Sequence, residues 1–124
     1  MYTLKLDWHR QRIHAVHRAL TDQTAPATLL HPSRDLSGYL DVDETGATLK
    51  LDWSPAQIAA VQAALTARMD ALAADMLRAR DNDPGVPSYW VLVAEQTQVA
   101  AAARDIRDYL AALSEATAEM RPGR

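Results

Sequence analysis

An α+β fold in the order β-α-β-β-α-α, a small antiparallel sheet followed by a long C-terminal antiparallel helical hairpin, follows from three features of this 124-residue chain. First, two segments align with each other: residues 3–22 (TLKLDWHRQRIHAVHRALTD) and 48–67 (TLKLDWSPAQIAAVQAALTA) are identical at 12 of 20 positions. Second, apolar residues in each segment change period from two to about 3.6, the signature of a strand running into an amphipathic helix. Third, apolar residues recur every seven positions beyond the second segment, which extends its helix and then builds another. The shared positions Leu4/Leu49, Leu6/Leu51, Trp8/Trp53, Ile13/Ile58, Val16/Val61 and Leu20/Leu65 are those that packing constrains, so the pair reads as a duplicated strand-helix scaffold.

Tyr2, Leu4, Leu6 and Trp8 alternate with Thr3, Lys5 and Asp7, a strand with one face in the core. The helix after it is short, ending near Asp22 ahead of Pro26, with Asp7 or His9 as an indifferent cap. Residues 23–36, holding Pro26, His31 and Pro32, are expected to be the longest irregular segment and a place to look for function. Residues 39–43, the turn sequence Asp43-Glu44-Thr45-Gly46 and the alternation from Ala47 to Trp53 predict a hairpin of the second and third strands. Lys50 would then lie across from Asp41 or Asp43.

Ser54, Pro55 and Gln57 form an S-P-x-Q capping box that specifies the start of the second helix. Trp53 with Ile58, and Trp8 with Ile13, have the spacing of hydrophobic staples that set the angle between strand and helix. Ile58, Leu65, Leu72 and Ala79, with Val61, Met69 and Met76 beside them, carry this helix to about Arg80. Asp81-Asn82-Asp83-Pro84-Gly85-Val86-Pro87 breaks it. Leu92, Val99, Ile106 and Leu113 then mark a second long helix, although residues 89–94, apolar on every side, are compatible with a strand as well. Residues 1–119 read as a single domain and 120–124, ending RPGR, as a flexible tail.

An apolar content of 48% supports one core, and a net charge of −3 with pI near 5.7 gives no global field of the kind that marks a nucleic-acid binder. No apolar run has the length of a signal peptide or a membrane span, so a cytoplasmic protein without a membrane partner is expected. The chain has no cysteine, which removes disulfides, thiolate nucleophiles and cysteine-based zinc sites. Its four glycines lie at turns or in the tail, so none builds a phosphate loop.

Candidate chemistry gathers in the first helix. His9, Arg10, Arg12, His14, His17 and Arg18 stand where the second segment has Ser54, Pro55, Gln57, Ala59, Gln62 and Ala63. A strand-helix unit forms without these charges, so they are available for binding. With His31 and Arg34 from residues 23–36, the candidate binding set is Arg10, Arg12, His14, His17, Arg18, His31 and Arg34. His14 and His17, three apart, could face one way toward a metal with His9 or His31, but the i, i+4 spacing and nearby carboxylate usual for helical zinc pairs are missing. Asp41, Asp43 and Glu44 resemble a fragment of a calcium loop that lacks its closing glutamate. Lys5/Asp7 and Lys50/Asp52 recur as ordinary opposite charges on an exposed strand face.

These residues predict a non-catalytic protein-binding or regulatory module, working as a homodimer, with no cofactor and no metal. The long helices overhang a small sheet whose edges need cover. The alternative is a nucleic-acid-associated regulator using the basic first helix, and a weaker one is a His-dependent metalloenzyme built on His14, His17 and His31.

Overall fold

The computed structural model describes residues 2–21 and 27–119, with side chains as far as Leu113. Strand β1 (Tyr2–Trp8) leads into helix α1 (Arg10–Thr21); a 3-10 turn (Ala27–Leu29) and helix α2 (Leu30–Ser37) precede strand β2 (Ala47–Trp53), and helices α3 (Pro55–Arg80) and α4 (Tyr89–Glu119) complete the chain. The architecture is α+β with a C-terminal helical hairpin. The 120–124 tail lies outside the described residues.

β1 and β2 pair antiparallel as a two-stranded sheet, with Lys5 opposite Lys50, Leu4 opposite Leu51 and Leu6 opposite Leu49. The expected hairpin between residues 39–43 and β2 does not form. Residues 30–37 are helical because Leu29, Pro32 and Leu36, all buried, recur at helical spacing, and Pro32 sits in the first turn, where a missing N–H costs nothing. This helix and Tyr39 occupy the outer edge of β2, where a third strand would lie. The Lys50 N–H donates to the Tyr39 hydroxyl (3.4 Å) and the His31 Nε2–H to the Asp52 carbonyl (3.2 Å). On the outer edge of β1 the Tyr109 hydroxyl donates to the Thr3 carbonyl (2.7 Å).

Because these backbone groups point away from the partner strand, Thr3/Asp52 and Lys5/Lys50 are the non-hydrogen-bonded pairs of the ladder, whose Cα atoms approach to about 4.5 Å. Lys50 therefore faces Lys5 rather than an aspartate. The two aspartates on this outer face are taken by threonines: the Thr3 hydroxyl donates to Asp52 (2.6 Å) and the Thr48 hydroxyl to Asp7 (2.5 Å). A like-charge pair at the centre of the sheet opposes pairing by a few tenths of a kcal/mol, roughly 0.2–1. Burial of the opposite face outweighs it.

That opposite face is Leu4, Leu6, Trp8, Leu49, Leu51 and Trp53, all buried with Ile13, Val16, Ile58, Leu65, Leu72, Val99 and Ile106 in one apolar cluster. Both tryptophans are buried through to the indole nitrogen, and each nitrogen has an acceptor. Trp8 Nε1–H donates to Asp105 Oδ2 and Trp53 Nε1–H to Asp35 Oδ2, each at 2.9 Å. Each carboxylate has a further neighbour: Arg12 pairs with Asp105 at 3.0 Å, and His31 Nε2 lies 3.2 Å from Asp35. Gly46 enters β2 with φ of 86°, and a Cβ there would lie 2.0 Å from the Trp8 carbonyl oxygen, so only glycine allows the chain to cross so close.

Helices α3 and α4, 26 and 31 residues long, extend about 40 and 45 Å, against roughly 23 Å for a seven-residue strand. They pack antiparallel, with the Gln62 amide on the Ala103 carbonyl (3.3 Å) and the Gln96 amide on the Met69 carbonyl (3.2 Å). Residues 89–94 begin α4, so the strand option is not taken. The connection turns through Asn82 at φ of 60°, a left-handed position that asparagine tolerates. Asp83 fastens it by accepting from the Gly85 N–H (2.8 Å) and Arg78 Nε (2.9 Å), which together hold its carboxyl below the usual range. Among the described residues no helix is long and apolar enough to cross a membrane.

Candidate functional site

α1 begins with His9 as its cap: the imidazole Nδ1 accepts from the Arg12 N–H at 3.3 Å, where the aligned Ser54 hydroxyl accepts from the Gln57 N–H at 3.1 Å. From that start, helical spacing turns Ile13, Val16, Ala19 and Leu20 into the core and leaves Arg10, Gln11, His14 and Arg18 exposed on the far side, with His17 half-buried at the margin. Arg12 points the other way. It reaches α4, where Nε donates to Gln98 Oε1 (3.0 Å) and Nη1 to Asp105 (3.0 Å). The sequence-derived basic face thus divides into a solvent-facing stripe of Arg10, His14, His17 and Arg18 and one residue, Arg12, that fixes α1 to α4.

Members of the stripe also have intramolecular partners. Arg18 Nη1 donates to Glu95 Oε1 at 2.9 Å, and the other oxygen of Glu95 accepts from Arg68 Nη2 at 2.6 Å, so one carboxylate ties α1, α3 and α4 together. Glu95 is the sole charged residue between Tyr89 and Ala103, a signal in the sequence that its carboxylate serves a defined contact. Arg10 stands 3.8 Å from Glu44 with both side chains exposed, a pair worth little in water. His14 Nε2–H donates to the Leu40 carbonyl at 3.0 Å, leaving Nδ1 free to accept when the ring is neutral. Burial, and then the neighbouring His14, push the His17 imidazole below its ordinary value.

Between α1 and α4 runs an open groove of about 270 Å³, lined by Gln11, His14, Ala15, Arg18, Ala94 and Gln98, with Glu95 at its side. Its floor is made of small apolar side chains and its rim of amide, imidazole and guanidinium groups. His31 and Arg34 are elsewhere, on α2 beside the β2 edge. His31 supports Asp35 and Asp52 there, and Arg34 is exposed, so the structure does not join them to the α1 stripe.

Among the described residues no group of three or more His, Asp or Glu side chains converges to hold a metal ion. Asp43, in the turn sequence that lacks what a calcium loop needs, accepts from the Thr45 hydroxyl and, at 3.0 Å, from the Thr45 N–H, which hold it below the ordinary carboxylate range and close the turn into β2. Three functional features went unread in the sequence: the carboxylates Asp35, Asp105 and Glu95 as contact-makers, the α1–α4 groove, and the exposed apolar residues at the connected end of the hairpin. Those residues are Leu77 (63% exposed) on α3 and Trp90 (76%) and Val91 (56%) on α4. Compared with protein families, with characterised proteins and with solved structures, the chain matches none of them.

Proposed function

We propose that this chain is a non-catalytic binding module that acts through protein–protein contact and assembles as a homodimer. The observation that carries the reading is the exposed Trp90, its ring edge-to-face with Tyr89 at 5.2 Å, on the same end of the hairpin as Leu77 and Val91. Large apolar side chains left in water favour a covering surface, and tryptophan is the residue type most often found at the energetic centre of an interface. A second copy fits because the hairpin overhangs the sheet. Two overhanging ends of identical sequence supply the self-complementary patch that a two-fold dimer needs.

The scaffold beneath is read as two copies of one strand-helix unit. The support is the register, which is two-fold symmetric about Lys5/Lys50, the pair in which a residue meets its own aligned counterpart, so that the Thr3–Asp52 and Thr48–Asp7 hydrogen bonds are equivalent to each other. The nucleic-acid alternative has less to stand on, since Arg12 is turned into the α1–α4 interface and Arg10 and Arg18 each face a glutamate. Light scattering at micromolar concentration tests the assembly: the expected mass is twice the 13.7 kDa of the chain, falling toward one chain in Trp90→Ser. A wild-type mass of one chain contradicts the dimer.

A further inference from the structure

We infer that the outer edge of β1 is the docking site for an extended segment of a partner protein, which adds antiparallel as a third strand beside Lys5 and Asp7. This rests on the protein-binding reading but not on dimerisation. The first support is the backbone. In the β1–β2 register Lys5 faces Lys50 and Asp7 faces Thr48 as non-hydrogen-bonded pairs, so the N–H and C=O of both β1 residues point away from β2. Among the described residues these four groups have no hydrogen-bond partner within the protein. The edge of β2 differs, since α2 and the residues after it lie along it, with Tyr39 on the Lys50 N–H and His31 on the Asp52 carbonyl. On β1 the Tyr109 hydroxyl takes the Thr3 carbonyl alone, which fixes where an added strand stops. A row of outward N–H and C=O groups is matched by another extended backbone, so the edge itself specifies the chemistry of its occupant.

The second support is space and pattern. Beside these groups an open depression of about 450 Å³ separates β1 from α4, with Lys5, Asp7 and Trp8 on one side and Asp105, Asp108 and Tyr109 on the other. The Trp8 indole N–H and Arg12 are both held by Asp105, so this wall is already paired. An added strand turns alternate side chains toward the depression and the others toward the polar face of Thr3, Lys5 and Asp7. That alternation is the one β1 already accepts on its inner edge, where T-L-K-L-D pairs antiparallel with T-L-K-L-D. The occupant is therefore a short extended segment, apolar at every second position and polar between.

A partner protein is favoured over a second copy of this chain. α4 runs beside the outer edge of β1, from Asp105 on the Trp8 indole to Tyr109 on the Thr3 carbonyl. Joining two β1 edges about a two-fold axis brings both copies of α4 to one junction, whereas a single extended segment brings no helix with it. The edge also lies apart from the proposed dimer contact, because Tyr109 is about 28 Å along α4 from Trp90.

The test uses the full chain and a fluorescein-labelled peptide of residues 47–53 (ATLKLDW), the sequence β1 pairs with internally, read by anisotropy. A parallel probe is the same peptide N-methylated at the residues corresponding to Lys50 and Asp52, whose amides face β1 in an added strand. In β2 those amides face away from β1, so this probe also separates edge addition from displacement of β2. The expected result is saturable binding of the plain peptide and at least about tenfold weaker binding of the N-methylated one. Lys5→Pro removes one outward N–H and leaves the β1–β2 ladder bonds in place, so it should weaken binding at least about tenfold with unchanged circular dichroism. Lys5→Ala keeps that N–H and should bind as the wild type does. Four outcomes would overturn the inference: no binding of the plain peptide, equal binding of the two peptides by the wild type, a loss in Lys5→Ala as large as in Lys5→Pro, or a mass that rises beyond two chains with concentration and returns to two in Lys5→Pro, which would give the edge to a second copy. Because the dimer is read from mass in Trp90→Ser and the edge from anisotropy, the two proposals fail separately.

Discussion

Two buried tryptophans set the chemistry at the smallest scale. Each indole ring is buried and its N–H needs one acceptor, and the partly exposed Asp35 and Asp105 come from outside the aligned segments to provide it. Replacing Asp35 by Ala removes the acceptor of the Trp53 N–H at a site partly open to solvent, which costs about 1 kcal/mol. Urea unfolding should show that loss, with Asp35→Asn recovering most of it because an amide oxygen still accepts; no difference between wild type and Asp35→Ala would contradict the assignment. His17 supplies a pH-dependent term. Its folded-state value is depressed below 6.5, so the unfolded chain binds the proton more readily. The stabilising contribution is therefore present above about pH 6.5 and is lost as pH falls through the folded-state value. His17→Gln, which installs the side chain of the aligned Gln62, should leave the unfolding midpoint near pH 8 unchanged and lessen its decline toward about pH 5. An equal decline in both proteins would show that the burial of this imidazole has no thermodynamic weight.

At the scale of elements, what was legible in the sequence is what repeats at short range. The alternation of β1 and β2, the Ser54–Gln57 box and the seven-residue spacing through Leu72 and from Leu92 to Ile106 each depend on neighbours along the chain, and each is present. Ser54→Ala should lower stability by about 1 kcal/mol in chemical unfolding, because both halves of the box are made, at 3.1 and 2.8 Å. A negligible change would mean that tertiary packing alone holds the start of α3. α2 was misread for an equally local reason. His31, Pro32 and Ser33 look like a loop, while the helical recurrence of Leu29, Pro32 and Leu36 becomes visible only once their shared burial is known. The expected strand at 39–43 failed at longer range. Alternation in five residues marks which side is wet, but whether an edge is open depends on what else arrives there, and α2 arrives first.

For the whole molecule, the candidate site was half legible. The stripe of Arg10, His14, His17 and Arg18 follows from helical periodicity and could be placed without coordinates. Arg12 could not, since its direction is set by Gln98 and Asp105 some ninety residues away, and neither could the groove, which exists only where α4 lies against α1. Even so, the aligned segments point to a division of labour. The apolar positions they share make the core, whereas most positions where they differ, Arg12 apart, lie toward solvent on α1 or α3. The central claim is that Gln11, His14 and His17 on α1 are not required for the fold. The most direct measurement is a triple replacement, Gln11→Ala, His14→Ala and His17→Gln, which writes the α3 side chains onto α1, followed by thermal unfolding near pH 8. The account predicts an unfolding midpoint within a few degrees of the wild type, since Gln11 and His14 are exposed, His17 sits at the margin, and α3 carries Ala56, Ala59 and Gln62 at the aligned positions, so each change stays within about 0.5 kcal/mol. A triple variant that fails to fold, or whose midpoint drops well beyond a few degrees, would contradict it.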